Sequence, residues 1–386
     1  MENLVIKNGT VVTPLAERLT SVWIAGSRIL HLGDNLPAQL QQESGFQTGS
    51  FRTIDAAGCY VSPGLIDLQM NGGPDLDLWD DLQARASAKA DLRAMRKELL
   101  SKGVTAFLPT LITTSRERFL GNISFLKAHG AGSLEAEQEA RMPGIHLEGP
   151  CLSPARPGVH PPEHIKPLTR EVLEGILDDS VKLITAACEE DPQAEALQYL
   201  QSRGVTISLG HSNATYEEAQ HAFAGPVAML THTFNALPPL HHRQPGAVGA
   251  ALLNKKVSCC LIADGLHLAP AACQLIFTVK GPDKTILVTD RAQIGTSGGG
   301  LVGSSITLDD AVRNMTNWGI CSFAQAVRMA SYNAARALGF DQIGELAAGK
   351  VADLVLFNKD DLSINKVIFD GQEVQKLTSS RAGSKE

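Results

Sequence analysis

The stretch PGLIDLQMNGG, residues 63–73, opens as a buried strand and stops abruptly in polar groups. Leu65, Ile66 and Leu68 supply the apolar run; Gln69, Asn71, Gly72 and Gly73 end it. Seven more runs of this form follow: VTAFLPTLIT, PGIHLEG, VKLITAACEE, VTISLGHS, VAMLTHTF, VSCCLIADGLH and TILVTD. Near-continuous apolar runs suit strands buried on both faces of a parallel sheet. Helical patterns lie between most of them. AKADLRAMRKELLSKG places Ala88, Leu92, Met95 and Leu99 on one face, and Gly103 stops it. TYEEAQHAF and SFAQAVRMASYNAARALG behave alike. Eight such strands alternating with helices predict an α/β fold, a TIM-like (β/α)8 barrel.

The two ends read differently. LVIKNGTVV carries Asn8-Gly9 between apolar runs and predicts a tight hairpin. VWIAGSRILHLG turns at Gly26-Ser27, and KVIFDGQEV at Asp370-Gly371. Short strands from both termini are expected to form one small β domain. The expected division is 1–58 and 346–386 for that domain and 59–345 for the barrel. Residues 37–49, rich in Gln, Ser and Gly, read as an exposed loop.

The chain of 386 residues is 44% hydrophobic and 19% charged, enough for a large core. A net charge of −7 without a basic stripe argues against nucleic acid as a partner. Seven scattered cysteines, with no C-x-x-C, argue against a disulfide framework and for a reducing compartment. No run reaches transmembrane length and the N-terminus lacks a signal-like pattern, so a soluble cytoplasmic protein is expected.

Barrel sites sit at the carboxyl ends of the strands. Those ends carry Gln69 and Asn71, Glu148, Glu189 and Glu190, His211, His232, Asp264 and His267, and Asp290. Glu148, His211 and His232 form a His2Glu set, suited to a divalent metal with open positions. Each alone could instead be a hydrogen-bonding residue. His146, two before Glu148, is expected one layer lower in the barrel. Asp290 is a candidate general base; the alternative is a structural turn cap. His267 could bind an oxyanion or hold its loop. His241, His242 and Arg243 form a cationic cluster suited to phosphate or carboxylate, or a solvated surface. Residues 303–305, GSS, could open a helix toward an anion.

PGLIDLQMNGG, HLEGPCLSPARPGVHPPEH, LGHSNATY, THTFNALPPLHHRQPG, ADGLH, LVTD and GELAAGKVADLVLF together resemble the N-acetylglucosamine-6-phosphate deacetylases of the amidohydrolase superfamily. The match covers nearly the whole chain in order. The resemblance implies a metal-dependent barrel with a small β-sandwich built from both termini. It implies one divalent ion per subunit held by Glu148, His211 and His232; the His2Glu chemistry itself puts zinc first, with iron, manganese or cobalt as alternatives. Gln69 and Asn71 stand where many relatives in the superfamily carry His-x-His, which implies loss of a second metal; Gln69 is expected to hydrogen-bond a water of the metal. Asp290 matches the catalytic aspartate. Val159, His160, Asn235, Ala236 and His267 match substrate contacts, as do Leu301, Val302 and Gly303. Arg243 matches an arginine that reaches a phosphate in the neighbouring subunit, implying a homodimer.

Two departures stand out. Arg291 replaces a usual alanine, and the expected consequence is a depressed Asp290 pKa. The segment RAQIGTSGGGLV is short and glycine-rich. Other readings therefore stay open: another N-acetylated sugar or amino acid as substrate, or a sugar-phosphate-binding homologue with weakened catalysis.

Overall fold

A computed structural model describes residues 2–44, 50–73, 75–293, 296–297 and 300–375. The eight apolar runs form the eight barrel strands: β1 (Leu65–Met70), β2 (Val104–Ile112), β3 (Ile145–Glu148), β4 (Val181–Ala186), β5 (Thr206–Leu209), β6 (Val227–Leu230), β7 (Ser258–Ile262) and β8 (Thr285–Val288). They pair in chain order, all parallel. Beyond the strand ends the two edges meet: Asp290 donates its N–H to Gln69 O at 2.9 Å, and Asn71 to Arg291 O at 2.8 Å. That seam places Gln69, Asn71 and Asp290 together.

Inward side chains such as Leu68, Leu108, Leu183, Met229, Ile262 and Val288 fill the barrel. The outer strand faces pack on the helices in a second, larger core. The helix Ala88–Ser101 buries Ala88, Leu92, Met95 and Leu99, the face its sequence spacing marks. Gly103 ends it at φ +74°, a conformation that costs glycine no Cβ clash.

Strands from the ends form two further sheets. One orders Arg28–Leu32, Val22–Ala25, Leu4–Lys7 and Arg52–Asp55. The other joins Gln372–Glu373, Ile364–Phe369 and Leu354–Asn358 to Cys59–Pro63, Thr10–Val12 and Glu17–Leu19. Both termini therefore share a sheet. The turns at Gly26-Ser27 and Asp370-Gly371 join antiparallel neighbours. The hairpin expected at Asn8-Gly9 does not form. Asn8 does adopt φ +63°, but the flanking strands enter different sheets. A Cβ at Gly9 would lie 2.5 Å from Val61 Cγ2, so the glycine lets the chain turn a corner against Cys59–Pro63. Within the expected loop at 37–49, Ala38–Ser44 is a helix, and residues 45–49 lie outside the described residues.

Arg141 fastens the barrel to the terminal sheet. It is 1% exposed and pairs with Asp353, and with Asp370 at 3.2 Å. Its guanidinium also lies 3.9 Å from the Phe369 ring centre.

Candidate active site

Glu148 ends β3. His211 and His232 each lie two residues past their strands, with φ of +47° and +25°. These left-handed turns, each costing on the order of 1–3 kcal/mol, swing the imidazoles over the barrel mouth. His232 Nε2 lies 3.1 Å from Glu148 Oε1 and 3.1 Å from His211 Nε2, and His211 Nε2 lies 3.4 Å from Glu148 Oε1. Among the described residues this is the one set of three donors close enough to hold an ion. Tetrahedral zinc with bonds of about 2.0–2.1 Å spaces its ligands roughly 3.3 Å apart, so the donor set fits such an ion. His211 Nδ1 faces the Arg156 carbonyl at 3.1 Å. Donating a proton there leaves Nε2 bare for a metal.

Burial pushes Glu148 up, but hydrogen bonds and charge from His211 and His232 outweigh it and hold the carboxyl well below its ordinary value. Burial pushes His232 down, and Glu148 more than reverses it, so its pKa is raised.

Asp290 also sits two residues past its strand, at φ +51°. Gln69 Nε2 donates to Asp290 Oδ1 and to Glu148 Oε1, each at 2.9 Å, and Asn71 Nδ2 donates to the same Asp290 oxygen. The two amides thus act as donors to carboxylates. Gly303, at φ +65°, lets the backbone pass close to this turn; a Cβ would lie 2.5 Å from Asp290 O.

The expectation for Arg291 is overturned. Its side chain turns outward to Glu98 on the helix Ala88–Ser101, at 2.9 Å. It supplies Asp290 with no counter-charge. The Asp290 carboxyl is instead pushed up to about 7 by burial and by the charge of Glu148. Successive strand-end residues face opposite sides, which sends residue 290 inward and residue 291 to the helices.

Glu148, His211, His232, Asn71 and Asp290 line one cleft of about 310 Å3, with Val159, His160, Asn235, Ala236, His267, Leu301, Val302 and Gly303, while Gln69 lies behind the lining. Trp79, Ile112 and Gly158 line it too. Sequence reading missed these three; the position of Ile112 at the end of β2 was the available signal. Gly158 stands against His211: a Cβ would lie 2.9 Å from His211 Cε1. His160 Nδ1 lies 2.8 Å from Thr113 Oγ1, and burial pushes its pKa down to about 3. His267 Nδ1 meets Asp264 Oδ2 at 2.6 Å, which orients the ring toward the cleft.

Other candidates lie elsewhere. His146 is buried one layer down, bonded to Thr110 and Thr185. Glu189 accepts from Ser212 Oγ and Asn213 N–H and braces the chain after β5. His241, His242 and Arg243 are exposed, and Arg243 is absent from the cleft lining. Residues 303–305 do not open a helix: Ser304 bonds the backbone of Thr289 and Asp290, and the helix Leu308–Asn317 starts after a capping box at Thr307. In the short segment, Thr296–Ser297 pairs with Gly300–Leu301, while residues 294–295 and 298–299 lie outside the described residues.

A family model described as "Amidohydrolase family" matches residues 60–374. N-acetylglucosamine-6-phosphate deacetylase of Lysinibacillus sphaericus is 31% identical over 383 residues, covering 92% of this chain and 94% of its own. N-acetylgalactosamine-6-phosphate deacetylase of Escherichia coli O157:H7 is 32% identical over 339 residues, covering 81% and 87%. The crystal structure of N-acetylglucosamine-6-phosphate deacetylase from Pasteurella multocida superposes with a TM-score of 0.84 at 27% identity, covering 96% of this chain and 99% of that one. With barrel, donor set and strand-end aspartate in place, the chain belongs to the amidohydrolase family, within its N-acetylglucosamine-6-phosphate deacetylase group.

Proposed function

We propose that the protein hydrolyses the acetamide of N-acetylglucosamine 6-phosphate, adding water to give acetate and glucosamine 6-phosphate. The observation that carries this reading is the presence, in one cleft, of a three-donor metal set beside a separate, partly buried carboxylic acid, Asp290. Glu148, His211 and His232 would hold one divalent ion, zinc being the best match to His2Glu. When bound, the ion supplies Lewis acidity and lowers the pKa of water in the cleft. Asp290 takes the proton of the attacking water and returns it to the leaving amine. Gln69 and Asn71 hold the Asp290 carboxyl in line by donating to it. His160 donates to the acetyl oxygen as negative charge develops there. His267, backed by Asp264, Asn235 and the backbone around Ala236, Val159, Leu301, Val302 and Gly303 orient the sugar.

Arg243 is read as reaching the phosphate in a neighbouring copy of a homodimer; its exposure and its absence from its own cleft support this. The division into a barrel and a unit built from both ends is our reading, supported by a sheet common to both termini; because Cys59–Pro63 is a strand of that sheet, the first boundary is placed after Pro63 and not at 58/59. No helix among the described residues is long and apolar enough to cross a membrane. Seven unpaired cysteines support a reducing, cytoplasmic setting.

The 4-epimeric substrate is a second reading, favoured by the Escherichia coli relative's name. The test is amine release from both N-acetylhexosamine 6-phosphates by protein stripped of metal and then reloaded with zinc. Release that vanishes and returns with the metal is the expected result. A folded, zinc-loaded protein inactive on both substrates would overturn the reading.

A further inference from the structure

We propose that Thr113 is a positioning residue that locks His160 as a neutral hydrogen-bond donor, with its proton on Nε2 and aimed into the cleft. The inference rests on the deacetylase reading for its role and on hydrogen-bond geometry for its content. Thr113 follows β2 directly and is buried. Its backbone N–H donates to His160 Nδ1 at 3.2 Å. A backbone amide nitrogen has no lone pair to offer, so the Nδ1 it faces must carry one. The Thr113 hydroxyl lies closer, 2.8 Å from the same nitrogen; with the backbone amide already fixing a lone pair there, its one proton goes to Nδ1 in preference to the Glu148 carbonyl oxygen at 3.4 Å. An uncharged imidazole that accepts at Nδ1 bears its proton on Nε2.

His160 Nε2 is buried and lacks a hydrogen-bond partner among the described residues. It lies 3.8 Å from Glu148 Oε2, too far to bond. A buried donor left unpaired costs about 1–3 kcal/mol, and an acceptor entering the cleft relieves that. The acetyl oxygen of the substrate is such an acceptor.

His211 is built the opposite way. Its ring centre lies 4.4 Å from that of His160, yet its Nδ1 faces a carbonyl oxygen. One neighbour is therefore set as a ligand and the other as a donor. The same logic excludes His160 from the metal: ligation through Nε2 would put the proton on Nδ1, against the Thr113 N–H. The position has little slack, since a Cβ at Gly149 would lie 2.2 Å from Thr113 Oγ1.

The test uses the zinc-loaded full chain with 15N-labelled histidine, the His160 signals being assigned by their loss in His160→Gln. The expected spectrum shows a bare, accepting Nδ1 and a protonated Nε2. A proton on Nδ1, or one shared equally between the two nitrogens, would overturn the proposal whether or not the protein deacetylates anything. In turnover, Thr113→Val should lower kcat about tenfold and change KM less than twofold. Thr113→Ser should stay within about threefold of wild type in kcat. An unchanged kcat in Thr113→Val, a loss confined to KM, or no rescue by serine would each refute the hydroxyl's part.

Discussion

Replacing Asp290 with Asn separates catalysis from stability, and the structure gives opposite signs for the two. Gln69 and Asn71 both donate to Oδ1. The carbonyl oxygen of the substituted amide would accept the same two bonds, and its NH2 group would stand where Oδ2 now lies. The three metal donors are untouched. A missing general base typically lowers turnover about 10²–10⁴-fold, or about 3–5 kcal/mol of barrier. Stability should move the other way. Burial and Glu148 raise the Asp290 carboxyl from 3.8 to about 7, on the order of 4 kcal/mol against the charged form. Because the folded value lies above the unfolded one, this contribution to stability is fully present below about pH 4. It is lost as pH rises through about 7. Metal-free Asp290→Asn should therefore gain urea resistance over wild type at pH 8 and little at pH 4.5. The assays are amine release, zinc content by elemental analysis, and urea midpoints at the two pH values. A kcat within tenfold of wild type would remove Asp290 from proton transfer. Loss of zinc would make it a ligand, and a pH-independent difference in midpoint would refute the burial argument.

Three further outcomes follow from named contacts. Gly158→Ala places a methyl 2.9 Å from His211 Cε1 at φ +56°, so zinc affinity should fall about tenfold or more, in the range of mutations that disturb ligand orientation; competition with a chelator measures it. Arg141→Met leaves buried Asp353 without its partner and should cost about 3–5 kcal/mol. The double variant with Asp353→Asn should recover most of that in urea unfolding. Arg243→Ala should raise KM for the phosphorylated sugar while leaving the unphosphorylated analogue unchanged, and equal effects on both would argue against phosphate recognition.

Much of the site was legible because strand burial and strand ends are local properties. Glu148, His211, His232 and Asp290 stand where apolar runs stop, and parallel barrels bring such stops to one face. For Gln69 and Asn71 it was the family resemblance that pointed away from a second metal, and the amides donate to Glu148 and Asp290. Arg291 was misread because adjacency in sequence is not adjacency in space. A strand-end neighbour points to the opposite face, and Glu98 lay waiting there on a helix far away in the chain. The Asn8-Gly9 signal marked a true left-handed turn, but which sheets its strands enter depends on Cys59–Pro63 and the C-terminal strands.

The sequence by itself determined the barrel, the two-ended accessory sheet and the chemical inventory at the strand ends, because periodicity and residue type are carried by short windows. Only the tertiary structure decided the 3.1 Å approach of His211 to His232, the outward turn of Arg291 and the meeting of Thr113 with His160. Those depend on positive-φ turns, on cross-barrel packing and on which donor faces which lone pair, and none of these is encoded within a single segment.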